Sequence, residues 1–161
     1  MHKLIIFVFT VLASTPVFAQ DAHSPAELAS EVQTLINSKN IDRIVQFVHP
    51  EVDPKSLEQI KASLASYIGA ENLKVYIVAK DDNEAVRKLQ SDTSLAGSIT
   101  IKPLDERAKL MAERGWYYTI APLGDLVVFG NKVGVKSSGA RSIMQYGKSG
   151  DSYFITLSRK R

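Results

Sequence analysis

The chain has 161 residues, a formal net charge of +3 and no cysteine. That excludes disulfides, thiol catalysis and every cysteine-based metal site. The charge is divided: from Leu126 onward there are seven basic residues and one acid, whereas Gln20 to Asp125 holds 12 basic and 16 acidic residues.

Met1-His2-Lys3 is a short positive start, Leu4 to Ala13 is an apolar run broken by Thr10, and Ser14-Thr15-Pro16-Val17-Phe18-Ala19 supplies a breaker and a small-residue pattern. This predicts a secretory signal peptide over 1–19, cut between Ala19 and Gln20, and a periplasmic or secreted protein. The run is too short to span a bilayer, and no later run is apolar enough, so no transmembrane segment is expected after processing. Residues 20–161 fit one domain, whose stability must come from an ordinary core.

Ser24-Pro25-Ala26-Glu27 opens the first helix with a capping box, serine at the cap and glutamate three residues on. Leu28, Val32, Leu35 and Ile36 give it one apolar stripe. A second short helix is expected over Ile41 to Val48, with Ile41, Ile44, Val45 and Val48 on one side, ended by His49-Pro50. Asp53-Pro54 opens a third, with Leu57, Ile60, Leu64, Tyr67 and Ile68 facing inward and Gly69 as its stop. The period then changes to two: Leu73, Val75, Ile77 and Ala79 alternate with Lys74, Tyr76 and Val78, which reads as a strand. Asp81-Asp82-Asn83 predicts a turn and cap for a short helix through Leu89, followed by polar loop from Ser91 and a strand at Gly97 to Lys102. Leu104 to Arg114 is a helix stopped by Gly115. From Trp116 the chain reads as strand: Trp116 to Ala121, Asp125 to Phe129 after a Gly124-Asp125 turn, then Ala140 to Tyr146 and Ser152 to Ser158 joined at Gly147–Asp151. In that last hairpin Tyr153, Ile155 and Leu157 should face the helices. Arg159-Lys160-Arg161 should lie beyond the packed part and be dispensable for folding. Helices first and an antiparallel meander last argue an α+β fold, a curved sheet packed against helices.

Ser38 to Pro50, with its Asp42, apolar helix and His49-Pro50, resembles a segment of small exported domains of the NTF2-like, cystatin-like superfamily. The C-terminal part is similar to small secreted bacterial proteins of that kind: an aromatic strand ending in proline (Trp116 to Pro122), Leu126-Val127-Val128-Phe129, a polar strand ending in Tyr-Gly (Arg141 to Gly147), a turn, then Tyr153-Phe154. The resemblance implies N-terminal helices packed on a strongly bent antiparallel sheet, cone-like, with an apolar pocket. Members of the superfamily include enzymes, binders of small molecules, and domains that dimerise or dock partners, so the fold transfers no catalytic residue.

His49 is the one candidate catalytic residue, a general base just after a helix; a basic residue there also satisfies the helix's last carbonyls. Trp116, Tyr118, Tyr146 and Tyr153 are candidates to line an apolar ligand pocket, with Tyr117 and Phe154 beside them, or else fill the concave side of the sheet. Lys132, Lys136, Arg141, Arg159, Lys160 and Arg161 are candidates for an anionic surface, or else a solvated face and tail. Asp81-Asp82-Asn83-Glu84 has consecutive acids and no glycine, unlike a calcium loop. Asp105-Glu106 suits a helix N-terminus. Gly130 to Ser137 lacks the phosphate-loop spacing and reads as a flexible hairpin loop. No metal site and no cofactor are expected, and no nucleic acid, since the basic stretch has no aromatic interleaving. The expected function is an exported non-catalytic domain binding a small apolar ligand, a protein or an anionic partner, with a homodimer through the sheet as a further option. The alternative is a small cone-pocket hydrolase or isomerase with His49 or a buried Asp as general base.

Overall fold

A computed structural model describes residues 21–82, 84, 103–131 and 140–160, with the backbone alone at 140, 141 and 158–160. The expected signal peptide, the helix through Leu89, the strand at Gly97 to Lys102, most of the Gly130 to Ser137 loop, and Lys132, Lys136 and Arg161 lie outside the described residues. The elements are α1 (Pro25–Asn37), a 3₁₀ helix η1 (Ile41–Phe47), α2 (Pro54–Ala65), β1 (Glu71–Ala79), α3 (Leu104–Glu113), β2 (Trp116–Tyr118), β3 (Pro122–Asn131), β4 (Ala140–Ser149), β5 (Ser152–Thr156) and β6 (Ser158–Lys160). The fold is mixed α+β.

Local chemistry explains the helices, with some departures from expectation. Ser24 Oγ accepts from the Glu27 amide at 3.1 Å, but the Glu27 carboxylate reaches back to the His23 amide at 2.6 Å, one residue beyond the usual capping box. Asp53 caps α2 by accepting from the Ser56 amide and hydroxyl, at 3.0 and 2.7 Å. These bonds hold its carboxyl below the ordinary aspartate value. The second helix is 3₁₀ rather than α, with three residues per turn. That spacing buries Ile41, Ile44 and Phe47 and leaves Val45 51% exposed, so Val45 is not on the inner side as expected.

The main sheet is antiparallel with strand order β1-β3-β4-β5; β2 and β6 form a separate two-stranded ribbon. It is not strongly curled, against the strongly bent sheet expected. Its irregularities fall near strand ends, between Glu71 and Lys74 and between Pro122 and Gly124; bulges there do not fold the strands over in mid-length. One face carries Leu126, Val128, Met144, Tyr146 and Ile155 into a core with Leu28, Val32, Leu35, Ile36, Ile44, Phe47, Ile60, Leu64 and Tyr67. Tyr153 and Leu157 pack at its margin, so that alternation of the last hairpin is as read from the sequence. On the other face Val127 and Phe129 are also buried.

Several boundaries move: α2 ends at Ala65, short of Gly69, and the strand expected over Trp116 to Ala121 ends at Tyr118. There is no turn at Gly124-Asp125: β3 runs through it from Pro122, and Gly124 sits opposite Ala79 and Tyr146. The last hairpin turns over Gly150-Asp151 alone, since Ser149 pairs with Ser152 and Gly147 is a strand residue opposite Phe154. Gly150 has φ +60° and Asp151 is not in the positive region, as in turns with glycine first. Beyond Leu157 the chain crosses to the ribbon, where Tyr118, Tyr117 and Trp116 pair with Ser158, Arg159 and Lys160. Arg159 and Lys160 are thus built into a ladder rather than lying beyond the packed part as expected.

Leu64 is completely buried in the core. Leu64→Ala should lower stability by about 2–5 kcal/mol, the range for a buried leucine. Equilibrium urea unfolding of the two proteins measures it, and an unchanged midpoint would show that this face of α2 does not meet the sheet.

Candidate functional site

The sheet has two edges, and the chain treats them differently. At β5 the outer backbone groups are used by main chain: the Tyr153 amide donates to Ala22 O at 2.8 Å, and Ile155 O accepts from the His49 amide at 3.0 Å. At β1 no described strand lies outside. Lys80 donates to Leu123 O, whereas the Val75 amide is turned outward and donates to Gln33 Oε1 on α1 at 3.2 Å. In an antiparallel ladder the direction alternates, so Val75 and Ile77 both present N–H and C=O to the free side.

Between this edge and α1 lies a cleft of about 480 Å³, lined by Ala26, Ala29, Ser30, Gln33, Thr34, Asn37, Val75, Tyr76 and Ile77. The α1 residues recur at helical spacing, so they form a second stripe beside the apolar one. All are small or uncharged, while Glu27 and Glu31 stand elsewhere on the helix. This stripe was not singled out from the sequence; the signal was an uncharged row at positions 26, 29, 30, 33, 34 and 37. Among the described residues lining the cleft, the only titratable side chain is the Tyr76 phenol.

His49 is outside the cleft. It is buried, its Nδ1 accepts from the Glu51 amide at 3.4 Å, and its ring meets Phe154 edge-on at 5.8 Å. It therefore satisfies a turn amide rather than the last carbonyls of the preceding helix.

The aromatic candidates divide between places. Tyr146 and Tyr153 have ring centroids 6.4 Å apart on the helix-covered face. Trp116 and Tyr118 are on the ribbon, and Tyr118 lies in the field of Arg107 and Asp125. Burial pushes the Tyr118 phenol up, with Arg107 opposing and Asp125 adding. Burial also raises Tyr146, reinforced by Tyr153, Asp125 and Asp82. Both stay neutral hydrogen-bonding groups rather than bases. Tyr146 thus neighbours Tyr153, and Tyr118 shares the ribbon with Trp116. Of the anionic-surface candidates, Arg141, Arg159 and Lys160 are placed by backbone alone, on β4 and β6.

Asp125 is a second feature not singled out from the sequence. Its carboxylate, only 4% exposed, pairs with Arg107 Nη2 at 2.5 Å and accepts from Gln145 Nε2 at 3.3 Å. These partners offset its buried charge and tie α3 to the sheet. Among the described residues no three His, Asp or Glu side chains converge as a metal site, and no helix is long and apolar enough to cross a membrane.

Compared with known protein families, with curated proteins and with solved structures, the chain matches none. The NTF2-like resemblance therefore rests on the quoted sequence segments alone.

Proposed function

We propose that this is an exported, non-catalytic binding domain whose ligand site is the cleft between α1 and β1. The observation that carries the reading is the lining of that cleft. It combines apolar Ala26, Ala29, Val75 and Ile77 with neutral hydrogen-bonding Ser30, Gln33, Thr34, Asn37 and Tyr76. A general acid or base needs a titratable group with a polar partner in reach, whereas recognition needs apolar area and a few placed polar groups. Its volume is in the range of small-molecule sites. Helices before a meander are what the chain shares with the NTF2-like superfamily it resembles, but this site lies at the sheet's edge and requires no cone. The His49 alternative draws no support from a ring whose Nδ1 is engaged by the Glu51 amide.

A protein-observed NMR screen with small uncharged compounds tests it. Amide shifts should cluster at 26–37 and 75–77, and Ser30→Trp, a change at an exposed position that fills the cleft, should remove them with little change in melting temperature. Shifts gathered around His49 and Phe154 instead, unaffected by Ser30→Trp, would overturn the assignment.

A further inference from the structure

A second surface lies where α3 meets the β2–β6 ribbon. Among the described residues five large apolar side chains are exposed, and three of them fall within one short stretch: Leu110 at 38%, Trp116 at 37% and Tyr117 at 39%. Leu110 and Arg114 are four apart across the end of α3 and so neighbour one another. Arg114 is itself exposed, and Glu113 is the single carboxylate between 110 and 117. The ladder register then sets Trp116 opposite Lys160 and Tyr117 opposite Arg159. Directly opposed residues share a face of a ribbon, so each face combines an aromatic with a cationic position.

We propose that this α3–ribbon end docks on an anionic phospholipid surface. Tryptophan and tyrosine prefer the headgroup level, where the ring is in apolar surroundings and the polar tip is wet. Cationic residues beside them add attraction to acidic headgroups, and exposed leucine supplies apolar area to bury. The carboxylates of α3's first turn, Asp105 and Glu106, lie at its opposite terminus, and at this end Glu113 is outnumbered by Arg114, Arg159 and Lys160. An acidic protein would satisfy the cations but would not call for Leu110 and two aromatics in the open.

Trp116 is the chain's only tryptophan, so its fluorescence reports this surface alone. The purified protein is titrated with vesicles of phosphatidylcholine, with vesicles of equal parts phosphatidylcholine and phosphatidylglycerol, and with polyglutamate. The expected result is a blue shift of Trp116 emission with the acidic vesicles only, weakening as salt is raised. Arg159→Ser with Lys160→Ser should weaken partitioning about thirtyfold, at about a tenfold change per 1.4 kcal/mol and about 1 kcal/mol per cation. Because β6 pairs with β2, that variant could lose its fold; Leu110→Ser, at an exposed helix position away from β6, should itself reduce partitioning several-fold with an unchanged melting temperature. No shift with acidic vesicles, an equal shift with neutral ones, an equal shift with polyglutamate, or wild-type partitioning by folded Leu110→Ser would each overturn the proposal.

Discussion

Arg107→Ala should destabilise the protein by about 3–5 kcal/mol, the usual result of stripping one partner from a buried ion pair. The cost arises from what is left behind. Asp125 sits in the central strand β3 with its carboxylate 4% exposed, and its described partners are Arg107 at 2.5 Å and the Gln145 amide at 3.3 Å. Without the guanidinium, one neutral hydrogen bond would have to replace the hydration of a full negative charge. The two ends of the pair are on α3 and β3, so the loss should also loosen the attachment of α3 to the sheet. Lys80 and Asp105 make a second link to α3 at 2.6 Å, but both side chains are largely exposed; screening leaves such a pair little to contribute. Urea unfolding of wild type, Arg107→Ala, and the double variant Arg107→Met with Asp125→Leu separates the explanations. The double variant should recover most of the loss, because an apolar pair of similar volume carries no desolvation penalty. If Arg107→Ala unfolds at the wild-type midpoint, Asp125 is not enclosed as described.

How much of this was legible beforehand follows from what each signal depends on. The helix starts were legible because serine, aspartate and proline act on amides within three residues of themselves, and Ser24 and Asp53 do so here. The face of the last hairpin was legible because period-two alternation has one inward set, and Ile155 is fully buried with Tyr153 and Leu157 beside it. Val45 was misplaced because four of the five apolar residues in 41–48 fit an α stripe, while the 3₁₀ geometry that moves Phe47 inward leaves no separate mark in composition. Asp125 was read as a turn residue beside glycine. Its true position depends on Arg107, 18 residues earlier, and on Gln145, 20 later, and no local rule reaches so far. The cleft was hidden for a similar reason. Its stripe on α1 has helical spacing, but it becomes a binding surface only because Val75 and Ile77 turn backbone groups toward it, and that parity is set by pairing with β3. His49 drew attention as a rare titratable type, yet its surroundings, a turn amide and the edge of Phe154, are supplied by tertiary structure.

Gly124 carries the other large effect. Glycine beside aspartate suggests a turn, but β3 continues through Gly124, opposite Ala79 on one side and Tyr146 on the other. The residue is there because nothing else fits. A Cβ would stand 2.2 Å from the Val78 carbonyl oxygen, 2.7 Å from Tyr146 Cε1 and 2.9 Å from Ala79 Cα. Two of those three atoms are backbone of β1, which cannot swing aside as a side chain does. Gly124→Ala should therefore exceed the usual 1–3 kcal/mol of core overpacking, at about 3 kcal/mol or more, through partial separation of β1 from β3. Thermal unfolding followed by circular dichroism should show a large fall in melting temperature or loss of the cooperative transition. Relieving Tyr146 alone, with Gly124→Ala and Tyr146→Leu together, should not restore it, because the Val78 oxygen remains. Gly150→Asn is the matched control: φ is +60° there but nothing lies within 4 Å of a Cβ, and asparagine tolerates that conformation, so little stability should be lost. A Gly124→Ala protein as stable as Gly150→Asn would mean that β1 and β3 are not paired in this register. The outward groups of Val75 and Ile77 would then have no fixed direction, and the cleft beside them would lose its wall.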